Sequence, residues 1–194
     1  AHGDSASPAG LSQPLVQRAA QDALGTTLET LADGTEYDLG GEWTQLKMYD
    51  SLSDALGEHI TPETSVETLR AFADKHELSF DPKNVNHGKL VEGLWEHLVG
   101  DHLVAPTFVR DFPVETSPLT RDHRTVRGQL ARWDLDGRGG ELATAYSELV
   151  DPVVQRQRFE AQALLAAAGA EEARRSDEAF LTAREAALPP AGGG

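Results

Sequence analysis

The residues best suited to chemistry lie in one run, Trp133 to Pro152. There a Gly-rich reversal, Asp136-Gly-Arg-Gly-Gly140, leads into Glu141, Thr144, Tyr146 and Glu148 and then into Asp151-Pro152. The glycines around Arg138 supply the positive-φ backbone that a tight reversal needs, so the flanking segments are expected to pair as an antiparallel hairpin. Asp134 and Glu141 are then expected to stand at equal distances from the turn centre and to face each other across the ribbon. Opposed carboxylates repel unless one is protonated or a cation lies between them. A hard divalent cation such as Mg²⁺, shared with phosphate oxygens, would fill that role. Beyond the reversal, Thr144, Tyr146 and Glu148 share one side of a strand by the period of two, an aromatic wall leading to a carboxylate. That suits a ligand with an apolar stem and a cationic tip, and lysine is such a ligand. Glu141 has the opposite parity, so a pocket using all four side chains requires a bulge near Leu142 or Ala143. Spacing alone is equally met by an ordinary half-buried hairpin with charged edges.

The elements that must position this run can be read from caps and periodicity. Residues 1–14 are rich in Gly, Ser, Pro and Ala and are expected to be disordered. A short helix is expected over 15–24, closed by Gly25, followed by a hairpin whose arms, 26–31 and 36–39, flank Asp33-Gly34. Helices are expected over 49–56 and 65–76, the first ending before Gly57 and the second unable to extend past Pro82. Leu90, Val91, Leu94, Trp95, Leu98 and Val99 make an apolar helical stripe that belongs in the core. Pro106 to Pro113 reads as a short extended segment. Asp151 and Pro152 are an N-cap and first-turn proline for an Ala-rich helix to about Ala168, closed by Gly169, and a last helix over 177–188 stops at Pro189-Pro190. Hairpins mixed with helices, without regular βαβ alternation, predict an α+β fold: an antiparallel sheet with flanking helices.

Composition narrows the function classes. The chain has 194 residues and a formal net charge of −15, which disfavours nonspecific adhesion to nucleic acid or to an anionic membrane. It has no cysteine, so disulfides and thiolate zinc sites are excluded. No apolar run approaches the roughly 20 residues that span a bilayer, and no cleavable signal is visible, so no direct membrane contact by this chain is expected and any membrane link would come through a fused partner. The expected location is cytoplasmic, or the cytoplasmic face of the membrane where such a fusion exists. His97 and His102 are five apart and do not share the helical spacing that lets two histidines meet one zinc ion. Gly137-Arg-Gly-Gly140 lacks the Lys-Ser/Thr of a P-loop. Lys89 and Arg121 are weaker candidates for phosphate contact, and Arg156 and Arg158 are expected to form salt bridges on their helix.

A resemblance extends these readings. The runs Lys47-Met-Tyr-Asp-Ser-Leu-Ser-Asp-Ala-Leu-Gly57, His87-Gly-Lys-Leu-Val-Glu92, Pro106-Thr-Phe-Val109, Asp111-Phe-Pro-Val-Glu-Thr-Ser-Pro-Leu119, Glu141 to Pro152 and Gln155-Arg-Gln-Arg-Phe-Glu160 resemble the catalytic domain of class II lysyl-tRNA synthetases. The likeness is strongest to a bacterial sub-branch in which the synthetase can be fused behind a membrane-embedded lipid-lysylating module. It implies that Asp134 and Glu141 hold Mg²⁺ and ATP, that Glu148 receives the lysine ε-ammonium, that Tyr146 flanks the lysine stem, and that Thr144 meets its amino-acid head. Thr144 stands where most of the family has Asn, Asp134 where it has Glu, and Val150 where it has Asn. The implied division is a disordered 1–14, a partial catalytic domain over 15–188, and a Pro/Gly tail, 189–194, leading toward the third signature motif. The three class II motifs and the anticodon-binding domain do not occur in the chain. It is therefore expected to be inactive alone and to lack the motif through which the family dimerises. In the whole enzyme lysine, ATP and tRNA would be the partners. The alternatives are a truncated paralogue that binds lysine or a partner without catalysis, and a relative that lysylates a protein or supports lipid lysylation.

Overall fold

The computed structural model describes residues 6–82, 85–167, 178–186 and 191–193. Helix α1 (Ala6–Leu24) is followed by a two-stranded antiparallel ribbon, β1 (Leu28–Thr30) with β2 (Glu36–Asp38). Strand β3 (Thr44–Lys47) leads directly into α2 (Met48–Leu56), then α3 (Val66–Lys75) and α4 (His87–Leu98). The chain returns as β4 (Thr107–Arg110), β5 (Arg132–Gly137) and β6 (Gly140–Ser147), and closes with α5 (Pro152–Ala167), α6 (Glu178–Ala186) and β7 (Gly192–Gly193). The main sheet has the order β3-β4-β5-β6-β7, with β3 parallel to β4 and every other pair antiparallel. This is the expected α+β arrangement. Among the described residues no helix is long and apolar enough to cross a membrane.

Local chemistry sets the helix ends. Ser65 Oγ accepts from Thr68 N–H and Asn86 Oδ1 from Lys89 N–H, which satisfies first-turn donors of α3 and α4. Asp151 Oδ1 accepts from the N–H groups of Val153 and Val154, so it caps α5 as expected. Helix α2 ends at Gly57, whose φ of 70° closes the last turn by donating to the Ser53 carbonyl. The N-terminal expectation is corrected: Pro14 lies inside α1 rather than ending a structureless segment, while residues 1–5 lie outside those described. An internal proline forfeits one helical hydrogen bond. The helix persists because the Gln13 and Gln17 amides bond to the Gly41 carbonyl, and that of Gln17 also to Leu39, anchoring it against the chain after β2. At the other end, Gly192 and Gly193 of the tail pair with Ser147 and Tyr146. Gly169 lies outside the described residues.

The sheet has two unlike faces. On one, Phe108, Trp133, Leu135 and Ala145 pack with Ala20, Tyr37, Leu39 and Trp43, the Phe108 and Trp133 rings meeting edge-on at 5.1 Å. On the other, Val109 joins Phe112, Leu130 and the buried sides of α2, α3 and α4, including Leu52, Leu69, Leu90, Val91 and Leu94. The Trp95 indole N–H donates to Ser51 Oγ and ties α4 to α2. Val109 pairs with Asp134 and Asp134 with Thr144, so the polar part of β5 and β6 lies on this helix-covered face.

Candidate functional site

The β5–β6 turn is tight because both central residues, Arg138 (φ 58°) and Gly139 (φ 73°), take positive φ, and Gly137 and Gly140 pair on either side. The turn centre is thus one residue later than an assumed centre between Gly137 and Arg138, and Glu141 pairs with Asp136 instead of Asp134. Leu135 pairs with Ala143, so two steps on β6 match one on β5 and Leu142 is the extra residue of a bulge. Asp134 therefore lies opposite Thr144. Direct opposition of Asp134 and Glu141 is corrected on both counts. The bulge lies where a shared pocket requires it, and it returns Glu141 to the face that carries Thr144 and Tyr146.

Asp134 and Glu141 still meet, through a side chain that the sequence pattern did not single out. Arg132 donates from Nε to Asp134 Oδ1 at 2.9 Å and from Nη2 to Oδ2 at 2.5 Å, while Nη2 lies 3.7 Å from Glu141 Oε2. Its Nη1 is 3.9 Å from Glu92 Oε1 of α4, and its guanidinium carbon stacks 4.2 Å from the Phe112 ring centroid. The Thr144 hydroxyl donates to Asp134 Oδ1 at 2.6 Å. Repulsion between the carboxylates is thus relieved by a protein cation. Two residues apart on β5, Arg132 and Asp134 share a face by strand parity, a signal available in the sequence; Glu92 comes from a distant helix.

Arg132, Asp134, Glu141 and Glu92 line a cavity of about 200 Å³ together with Met48, Trp95 and Phe112. Among the described residues six carboxylates surround it, from Glu92, Glu96, Asp101, Asp134, Asp136 and Glu141, against the single cation Arg132. The excess of negative charge is felt locally. Burial, with the charges of Asp134 and Glu141, pushes Asp136 up to about 6. Burial raises Glu141 and Glu92 as well, with Asp134 adding to both, whereas Arg132 is raised because its contacts with Asp134 outweigh its own desolvation. No three His, Cys, Asp or Glu side chains converge as a complete metal cage among the described residues. The carboxylates could supply only part of a cation's shell, which suits Mg²⁺, an ion usually held by one or two carboxylates plus phosphate oxygens and water. Asp134 already uses three of its roughly four acceptor positions, and Glu141, half exposed, has room to turn.

Further along β6, Tyr146 lies opposite Arg132, and Glu148 follows at the strand end, bridged to Thr120, its N–H donating to the Ala191 carbonyl. Tyr146 and Glu148 are both half-buried. Among the described residues the Glu148 carboxylate has no ion pair. A larger cavity of about 720 Å³ lies between the 122–128 loop and α5, and none of the five expected site residues lines it. Arg156 pairs with Glu178 and Glu185 of α6, and Arg158 with Asp122, so both bridge elements instead of acting along their own helix.

Comparison with known proteins gives a family model, tRNA synthetases class II (D, K and N), matching residues 10–194. The chain is 60% identical over 193 residues to a lysine–tRNA ligase of Kineococcus radiotolerans, covering 100% of this chain and 39% of that protein. It is 56% identical over 194 residues to the lysine–tRNA ligase of Mycolicibacterium gilvum, again 100% of this chain and 39% of the relative. It is also 48% identical over 183 residues to a lysylphosphatidylglycerol biosynthesis bifunctional protein LysX of Mycobacterium sp. strain JLS, covering 92% of this chain and 16% of that protein. The chain therefore spans about two fifths of the length of the lysine–tRNA ligases it matches.

Proposed function

Since the chain belongs to the class II tRNA synthetases of the D, K and N group, we propose that it forms the lysine- and metal-facing part of a lysine–tRNA ligase catalytic domain. The observation that carries this reading is Glu148. It is a half-buried carboxylate without an ion-pair partner among the described residues, and it ends the same strand edge as Thr144 and Tyr146. An unpaired carboxylate in such a place calls for a cation, and a lysine ε-ammonium supplies one after its methylene stem has passed the Tyr146 ring. Thr144 would meet the amino-acid head. Identity of 54–60% with lysine–tRNA ligases over nearly the whole chain supports the same substrate.

In that reaction the lysine carboxylate attacks the α-phosphate of ATP, giving lysyl-adenylate and pyrophosphate, and the lysyl group then passes to the 3′ end of tRNA. Lysine held at both ends presents its carboxylate in one orientation, and positioning of this kind supplies much of a two-substrate acceleration. Glu141 and Asp134 would hold Mg²⁺ against the ATP phosphates. Bound there, the ion neutralises charge that develops on the phosphate oxygens. The family reaction belongs in the cytoplasm, beside its tRNA. The 48% match to a bifunctional lysylphosphatidylglycerol protein favours one second reading, in which the same activated lysine ultimately supplies a lipid.

The test is Glu148→Gln in a full-length protein carrying this chain, measured by lysine-dependent ATP–pyrophosphate exchange. Removing one partner of a desolvated charge pair costs about 2–5 kcal/mol, so the lysine KM should rise at least about 30-fold with the ATP KM nearly unchanged. Equal changes in both constants would leave Glu148 a structural role only.

A further inference from the structure

Among the described residues Arg132 is the one cation lining the cavity, and its contacts fall into two classes. With Asp134 it makes two hydrogen bonds, at 2.9 and 2.5 Å, in the parallel fork that only a guanidinium offers. With Glu141 and Glu92 it lies at 3.7 and 3.9 Å, attraction without a hydrogen bond. We infer that Arg132 is a positioning residue for the phosphate end of the site: it fixes Asp134 permanently and screens Glu141 only until a divalent cation takes Glu141 over. The inference rests on the reading of Asp134 and Glu141 as metal holders.

Three observations support the division of labour. The guanidinium lies over Phe112 and is 17% exposed, so its plane is held and its fork stays aimed at Asp134. The Thr144 hydroxyl grips Oδ1 of Asp134 from the neighbouring strand, so that carboxylate is restrained from two directions. Glu141, by contrast, is 51% exposed beside the bulge and lies 3.7 Å from Arg132 Nη2, too far for a hydrogen bond to it, so it can turn away from the guanidinium. A single positive charge among six carboxylates leaves the cavity strongly negative, so a divalent cation is drawn in even with Arg132 in place.

The test has two arms. In the 194-residue chain, Arg132→Met should lower the melting temperature, and millimolar Mg²⁺ should recover part of the loss where NaCl of equal ionic strength does not. The wild-type melting temperature should rise less at the same Mg²⁺ concentration, because Arg132 already screens Glu141. In a full-length protein carrying this chain, Arg132→Lys keeps the charge but loses the fork. It should fold, leave the lysine KM unchanged and raise the KM for Mg·ATP about 10- to 100-fold, the usual loss when a partner that orients a metal ligand is removed. Identical Mg²⁺ responses of wild type and Arg132→Met would overturn the screening role, and a wild-type Mg·ATP KM in Arg132→Lys would overturn the positioning role. If Arg132→Met does not fold, the lysine variant decides alone. Lack of lysine-dependent exchange in the wild-type full-length protein would instead remove the functional reading, while the Mg²⁺ melting result would still report on Arg132.

Discussion

Replacing Asp136 with Asn should stabilise this chain, and only where Asp136 would be ionised. Asp136 lies opposite Glu141 in the ladder, on the face that also carries Asp134. Burial and these two charges push it from 3.8 up to about 6. The folded chain therefore holds this proton more tightly than the unfolded chain, and ionising Asp136 weakens the fold. The loss is absent below about pH 4, grows between about pH 4 and 6, and is complete above that. Two units of pKa correspond to about 3 kcal/mol, but the side chain is only partly enclosed, and solvent screening reduces this to about 1–2 kcal/mol. Asparagine keeps the shape and removes the charge. At about pH 7.5 the variant should melt roughly 3–6 °C above wild type, a conversion appropriate to a domain of this size. Circular-dichroism melts of both chains from about pH 4 to 8 should show a gap that is near zero at the acid end, opens through pH 5–6, and is level above pH 7. A gap that does not depend on pH, or an Asn variant less stable at neutral pH, would refute the assignment of Asp136 as the strained member of the cluster.

Two further substitutions test the hairpin itself. Arg138 holds φ of 58° in a two-residue turn whose second member is Gly139, and Asn tolerates that conformation better than Arg. Arg138→Asn should therefore add about 0.5–1 kcal/mol to stability in urea denaturation with an unchanged m-value; a loss would mean that the Arg side chain itself supports the turn. Thr144→Val keeps the shape but removes the donor to Asp134 Oδ1, and should cost about 1–2 kcal/mol, whereas Thr144→Ser should cost much less. Equal losses for Val and Ser would trace the effect to the methyl group instead of the hydroxyl.

Much of this site was legible because its determinants are local. The cap at Asp151 and the stop at Gly57 act within a turn of their own helices, and the glycines after Asp136 demand a reversal. The need for a bulge near Leu142 or Ala143 followed from parity once Glu141, Thr144, Tyr146 and Glu148 were to share one pocket. What could not be read were contacts between elements distant in sequence: Glu92 reaching Arg132 from α4, the glutamine amides that sustain α1 through Pro14, and β3, whose four residues, Thr-Gln-Leu-Lys, carry little strand signal and pair in parallel with β4 residues 63 positions further along the chain.

The misplaced turn shows which kind of inference is robust. A shift of one residue in the turn centre, followed by the bulge, changed the partner of Glu141 to Asp136 and that of Asp134 to Thr144. Yet Thr144 and Tyr146 kept a common side, because residues two apart on one strand share a face whatever the partner strand does. The same rule places Arg132 beside Asp134 with no knowledge of register at all. Pairing across strands is set by the turn, a longer-range and more fragile quantity. A carboxylate cluster read from a sequence should therefore be searched first along its own strand for a resident basic residue, and only then credited with an external cation. Here that search yields Arg132, and with it a site in which one carboxylate is fixed and another is free to receive the ion.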